Sequence, residues 1–190
     1  QHACLQKKLP SDDRSLEAKT LYKFTENLHR MCGVNHTWGQ SSSKTKLFRR
    51  RVAALIKHVL PDFSWEEVFE AARLGPGTTR GTSYELSNIE NKWAYPLTVT
   101  PGCKDVMDEY FRWDSQLDES VRLFNKMETA PRYRVVQGNR ITTVAKTRDI
   151  RRVIAIEPTC NMYLQQGLMS VIERAMSPFG IDLSVQQNRH

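Results

Sequence analysis

The stretch that most constrains this chain is residues 143–158, Thr-Val-Ala-Lys-Thr-Arg-Asp-Ile-Arg-Arg-Val-Ile-Ala-Ile-Glu-Pro. Four cations, Lys146, Arg148, Arg151 and Arg152, fall within its residues 146–152, where only Asp149 opposes them. They stand directly ahead of residues 153–156, Val-Ile-Ala-Ile, which read as a strand. Glu157 and Pro158 close the run. Upstream, residues 132–143 alternate, with Tyr133 and Val135 before Gly138-Asn139 and Ile141 and Thr143 after it. Gly-Asn between two such runs is a hairpin-turn signal. The expected arrangement is a hairpin feeding a third strand, with the cations at a strand–loop–strand junction. A rigid sheet aims side chains at one point. Arginine forks and a lysine point charge then suit a phosphate. A solvated basic turn would carry the same charges.

Residues 144–158 resemble the basic fingers motif of the RNA-directed RNA polymerases of small positive-strand RNA bacteriophages, the levivirus replicase family. In that motif a Val-Pro-Lys opening leads, six residues after the Lys, to an Arg followed by an Ile-Ala-Ile-Glu-Pro block. Lys146 and Arg152 hold the spacing, and Ile154, Ala155, Ile156, Glu157 and Pro158 match the block. The similarity continues through Asn161-Met162, Gln165, Gly167, Gly180-Ile-Asp-Leu183 and Gln187-Asn188-Arg189. Ala145 departs from the family's usual proline, which loosens the local backbone and removes no charge. A weaker match, Gly75-Pro-Gly77, lies upstream.

The resemblance implies an α+β fold: a mostly helical N-terminal part and a β-hairpin/strand fingers element of an incomplete right-hand polymerase. Its palm, with the metal-binding aspartates and a Gly-Asp-Asp hairpin, is expected after residue 190. Residues 1–190 are therefore expected to be one N-terminal and fingers region, cut at both ends, with no catalytic residue of their own. On this resemblance Lys146 and Arg152 contact the nucleotide triphosphate, and Arg148 and Arg151 assist or touch RNA. Glu157 is expected to buttress Arg152 or a neighbouring strand. Mg2+ is the implied cofactor, held by carboxylates downstream. RNA template and nucleoside triphosphates are the implied ligands. Host elongation factors Tu and Ts and a ribosomal RNA-binding protein are the implied partners, in the cytoplasm of an infected bacterium.

The balance of 28 basic against 21 acidic residues gives a net charge of +7, which suits a polyanionic partner. No run is apolar and long enough to span a membrane, and no membrane partner is expected. Cys4, Cys32, Cys103 and Cys160 are widely spaced and read as reduced cytosolic thiols. His29, Cys32 and His36 offer three zinc ligands without a fourth nearby, so a helix-end cluster is expected in place of a metal.

Along the chain, Leu21, Phe24, Leu28 and Met31 mark one helix face, capped near Ser11 or Asp12 and stopped at Gly33. The next helix carries Phe48, Val52, Leu55, Ile56 and Val59 as its expected buried stripe. Residues 44–51 hold five cations and no acid, and Lys46 and Arg50 share a face that could follow a phosphate backbone. A solvated face accounts for it equally, and a membrane-surface helix is set aside for want of a Trp. Ser64 and Glu67 spell a capping box for a short helix with Trp65, Val68, Phe69 and Ala72 facing the core. Gly75 is expected to stop it in a left-handed conformation, with Pro76 following. In the loop beyond, Gly75, Gly77, Thr78 and Arg80 are candidate RNA contacts through backbone N–H groups, hydroxyl and guanidinium. A plain helix stop is the competing account.

Trp93 and Tyr95 beside Lys92 are expected to be buried anchors, with base stacking as the alternative. Asp105, Asp108, Glu109, Asp114, Asp118 and Glu119 read as a solvated acidic face of helices whose apolar side holds Val106, Met107, Tyr110, Phe111, Leu117, Val121 and Phe124. A final helix from Pro158 to about Met176 buries Leu164, Leu168, Val171, Ile172 and Met176. The reading set against a polymerase is a non-catalytic basic RNA-binding protein. It explains the charge and leaves the ordered match over residues 144–189 unexplained.

Overall fold

The computed structural model describes residues 14–37, 42–60, 64–83, 85–126, 131–147 and 149–182. Their contacts divide the chain into two compact units. One comprises residues 1–52 and 140–155, the other residues 53–139 and 156–190. The elements are α1 (Arg14–Thr37), α2 (Ser43–Val59), α3 (Trp65–Ala71), α4 (Ile89–Lys92), β1 (Leu97–Val99), α5 (Pro101–Trp113), α6 (Ser115–Phe124), β2 (Tyr133–Val135), β3 (Arg140–Thr147), β4 (Ile150–Ile156) and α7 (Thr159–Met176), followed by a 3-10 turn, Ser177–Phe179. Helices and two small sheets make the described chain α+β.

In the larger unit the core gathers Phe69, Leu97, Val99, Met107, Tyr110, Phe111, Val121, Cys160, Tyr163 and Leu164. All three residues of β1 are buried. β1 pairs in parallel with β2, in the register Leu97↔Tyr133, Thr98↔Arg134 and Val99↔Val135. A parallel pair needs a crossover, and α5 and α6 provide it. Pro101 opens α5 in a first-turn position that tolerates a missing N–H. Asp114 caps α6 by accepting from the Leu117 N–H at 2.9 Å. Trp93 sits edge-on to Phe111 and Tyr163 at 6.2 and 5.1 Å, so it is an anchor of this core as expected. Tyr95 packs against the same cluster. The Tyr110 and Tyr163 hydroxyls meet at 2.6 Å inside it.

α7 crosses this unit with Cys160, Tyr163, Leu164, Gly167 and Val171 buried. Leu168 is on its open side, contrary to the expected stripe. In the smaller unit α1 packs on β3.

Four local expectations give way. α1 runs through Gly33 to Thr37, because one glycine costs a helix interior only about 1 kcal/mol. No residue of α2 is buried, and Phe48, Leu55 and Ile56 are more than half exposed. Its 3.6-residue apolar period sets an amphipathic helix but not a partner for it. Ser64 is the N-cap of α3, yet its hydroxyl donates to Glu66 at 2.5 Å and makes no cap bond, so the capping box does not close. α3 ends at Ala71, and Gly77, not Gly75, takes the left-handed conformation, with φ of 98°. The expected caps at Ser11 and Asp12 lie outside the described residues.

Candidate nucleic-acid interface

β3 and β4 form a two-stranded sheet joined across residues 148 and 149. A connection that short joins only antiparallel strands. The expected turn at Gly138-Asn139 is therefore not the hairpin turn. β2 belongs to β1, and the hairpin lies one strand later, with Lys146 near the end of β3 and Arg151 and Arg152 near the start of β4. β2 finds a better partner because β1 is fully buried and needs a neighbour on its edge. Gly138 and Asn139 are used otherwise. The Gly138 carbonyl accepts from Arg80 Nη1, and Asn139 Nδ2 donates to Glu157 Oε1 at 3.0 Å. Glu157 thus braces the loop at Asn139, where Arg152 or a neighbouring strand was the expected partner.

The three described cations separate by place. Thr143 in β3 is buried, and its hydroxyl donates to Glu17 of α1 at 3.1 Å. Arg151 Nε donates to that same hydroxyl at 2.7 Å, and Arg151 Nη2 to the Thr143 carbonyl at 3.0 Å. Arg151 therefore lies on the α1 side of the hairpin. Successive side chains of a strand point to opposite faces. Lys146, three residues from Thr143, is consequently on the other face of β3. Arg152 is on the face of β4 opposite Arg151. Lys146 and Arg152 thus share the open face, and both are exposed. Arg148 lies outside the described residues.

On the α1 side a groove of about 430 Å³ is lined by Leu16, Lys19, Thr20, Lys23, Asp149, Ile150 and Arg151. The sequence reading followed the apolar period of α1 and passed over its lysines, because nothing in sequence links residue 19 to residue 151.

The loop after α3 is a clasp. Thr79, Thr98 and Thr159 are buried, and Thr79 and Thr159 hydroxyls meet at 2.8 Å. Thr98 and Thr159 hydroxyls meet at 3.2 Å, and Thr98 Oγ1 also accepts from the Thr159 N–H at 2.9 Å. The Arg80 N–H donates to the Glu157 carbonyl at 2.8 Å. Of the four candidate RNA contacts here, Arg80 has its guanidinium on Gly138 and Gly75 offers its carbonyl to Lys92 Nζ at 2.6 Å. Thr78 is half-buried and Gly77 is exposed with open space around it. Lys92 is itself buried, and burial lowers the pKa of its amine. This hydroxyl network joins residues 80 positions apart, so no local pattern announced it.

Lys46 and Arg50 are exposed one helical turn apart on α2. Of the His29, Cys32 and His36 cluster, Cys32 is exposed, and the His36 side chain lies outside the described ones. Among the described residues no three His, Cys, Asp or Glu converge to hold a metal ion. The acidic stretch is partly paired: Lys104 with Asp108 at 2.8 Å and Arg132 with Asp118 at 2.7 Å. Arg132 also lies over the Phe111 ring, 4.8 Å from its centroid. Among the described residues no helix is long and apolar enough to cross a membrane.

The sequence is similar to those of known proteins. The chain is 30% identical over 142 residues to the RNA-directed RNA polymerase beta chain of Enterobacteria phage fr, covering 71% of this chain and 24% of that protein. It is 30% identical over 139 residues to the protein of the same name from Escherichia phage MS2, again covering 71% and 24%. Against the corresponding chain of Enterobacteria phage GA, identity is 43% over 54 residues, which is 28% of this chain and 10% of that one. The chain thus spans about a quarter of the length of the first two curated relatives. The model of the RNA replicase beta-chain family matches residues 8–190. By that match over nearly its whole length, the chain belongs to the RNA replicase beta-chain family.

Proposed function

We propose that residues 1–190 are the N-terminal and fingers section of a phage RNA-directed RNA polymerase, and that the β3–β4 hairpin presents Lys146 and Arg152 to the triphosphate of the incoming nucleotide. The observation that carries this reading is the placement of those two cations on the open face of a hairpin whose other face Arg151 ties down. A lysine point charge and an arginine fork, exposed together on two bonded strands, neutralise phosphate oxygens without reorganising. The family membership and the names of the relatives support template-directed nucleotidyl transfer as the reaction of the longer protein.

Such transfer uses two divalent metals that stabilise the attacking and leaving oxygens. The described residues do not form a site for them, so in this reading the Mg2+ ligands belong to the larger part of the replicase. RNA and nucleoside triphosphates are its substrates, an infected bacterium its setting, and elongation factors Tu and Ts and a ribosomal RNA-binding protein its partners. Gly77 and Thr78 are the members of the upstream loop left for RNA. Arg80 and Gly75 serve the fold first.

The test is steady-state kinetics of a complete replicase carrying Lys146→Ala or Arg152→Ala. Each is expected to raise the nucleotide KM or lower kcat by the equivalent of about 1–3 kcal/mol, the cost of a lost charge-assisted contact. Unchanged kinetics in both variants would remove the hairpin from the nucleotide site. One observation favours the non-catalytic RNA-binding alternative: Lys44, Lys46, Arg49, Arg50 and Arg51 are all exposed on α2. That reading expects tight, steeply salt-dependent RNA binding by the 190 residues with no role in nucleotide kinetics.

A further inference from the structure

The groove between α1 and the β3–β4 hairpin is lined by Arg151 and by neither Lys146 nor Arg152, the residues of the nucleotide contact above. We propose that it holds consecutive phosphates of a single-stranded RNA, with Lys19 and Lys23 as the contacting residues. The proposal rests on the replicase reading for the identity of the polymer and on the groove for its place.

Lys19 and Lys23 are four residues apart, so they project from one face of α1 about 6 Å apart along its axis. Both are exposed, both line the groove, and among the described residues neither makes a salt bridge. Arg151 adds a third cationic side chain to the lining, and Asp149 a carboxylate. The hydrogen bonds of Arg151 to Thr143 fix the wall in place, so the lysines approach the ligand over a rigid edge. Leu16 and Ile150 contribute aliphatic surface beside the ammonium groups, suited to the apolar face of a ribose. No described aromatic residue lines the groove, which argues for backbone contact independent of base identity. Two lysines in a row along a helix fit a repeating phosphodiester better than a triphosphate, whose closely spaced oxygens favour arginine forks and a metal.

The experiment is fluorescence polarisation of a labelled oligouridylate with the 190-residue chain at several salt concentrations. ATP binding is measured in parallel. The lysines are exposed, so Lys19→Ala/Lys23→Ala is expected to keep the far-UV circular dichroism of the parent. It should weaken RNA binding about tenfold and lower the salt slope by about 1.4, the release expected for two phosphates of a single strand. Lys19→Arg/Lys23→Arg should retain binding, and ATP affinity should not change in either. Lys19→Gln/Lys23→Gln repeats the neutralisation with side chains nearer lysine in length, against the chance that the alanine pair disturbs α1. Unchanged RNA affinity and slope in both neutral pairs would overturn the proposal, as would an equal loss of ATP affinity, which would make the groove a nucleotide site. Lys146→Ala/Arg152→Ala separates the two readings: failure of that pair to affect nucleotide kinetics counts against the hairpin's open face and leaves the result for the groove standing.

Discussion

Gly167 of α7 faces the main chain of α3 so closely that a Cβ built on it would lie 2.2 Å from the Val68 carbonyl oxygen and 3.1 Å from the Ala72 Cα. Both obstructing atoms are backbone, so no rotamer change relieves the contact. The two helices meet there with no side chain between them, which lets Val68 and Phe69 enter the core beside Leu164. Gly167→Ala should therefore destabilise the larger unit by about 2–3 kcal/mol, the cost of overpacking. Gly102→Ala, where nothing lies within 4 Å of the added carbon, should leave stability within about 1 kcal/mol of the parent. Urea unfolding of the two variants side by side checks this, and equal midpoints would refute it.

Arg151 and Arg152 are adjacent in sequence and opposite in role. Arg151→Ala removes two hydrogen bonds from a guanidinium to Thr143 and should loosen the hairpin by about 1–3 kcal/mol. Arg152→Ala touches an exposed side chain and should leave the hairpin intact. Hydrogen exchange at the β3 amides reports the difference: faster in the first variant, unaltered in the second.

The buried hydroxyls give a coupling prediction. Thr159→Val removes the group that Thr79 and Thr98 both reach, at a cost of about 1–3 kcal/mol. Thr79→Val should cost a similar amount. Because they share one bond, the double variant should cost less than the sum of the singles. Strict additivity in a double-mutant cycle would mean that the hydroxyls act independently.

Acid should act through Asp108. Burial disfavours its charge, but the Lys104 ammonium bonded to it and the nearby Arg132 outweigh that, and its carboxyl is held below the usual range. A depressed folded pKa contributes stability above the unfolded value of about 3.9, and that contribution is lost as pH falls through the folded pKa. Asp108→Asn should thus lower stability at pH 7 and flatten the pH dependence below about pH 4. Denaturation midpoints at pH 7 and pH 3 measure both effects; an unchanged difference between the two pH values would exclude Asp108 as a source.

Gly167, Asn161 and Glu157, which the sequence resemblance included, each have a structural task. Gly167 permits the α3–α7 contact. Asn161 accepts the Thr100 N–H at 3.0 Å and donates to the Thr100 hydroxyl at 2.8 Å, tying the start of α7 to the start of α5. Glu157 holds Asn139 through its side chain and Arg80 through its carbonyl.

The sequence by itself determined the local matters. Apolar period marked α2, α5, α6 and α7 as helices, β-branched composition marked β4 as a strand, and charge spacing singled out the cluster of Lys146, Arg148, Arg151 and Arg152. These rest on interactions within a few residues, where spacing and geometry are the same thing. Tertiary structure alone decided the pairings. It joined β2 to β1, turned Arg151 toward Thr143 and Arg152 away, left the apolar stripe of α2 uncovered, and brought Thr79, Thr98 and Thr159 together. A strand's alternation specifies two faces but not which neighbour binds its edge, and an amphipathic period specifies a buriable face but not its cover. Those choices depend on contacts between residues far apart in the chain, and no local pattern encodes them.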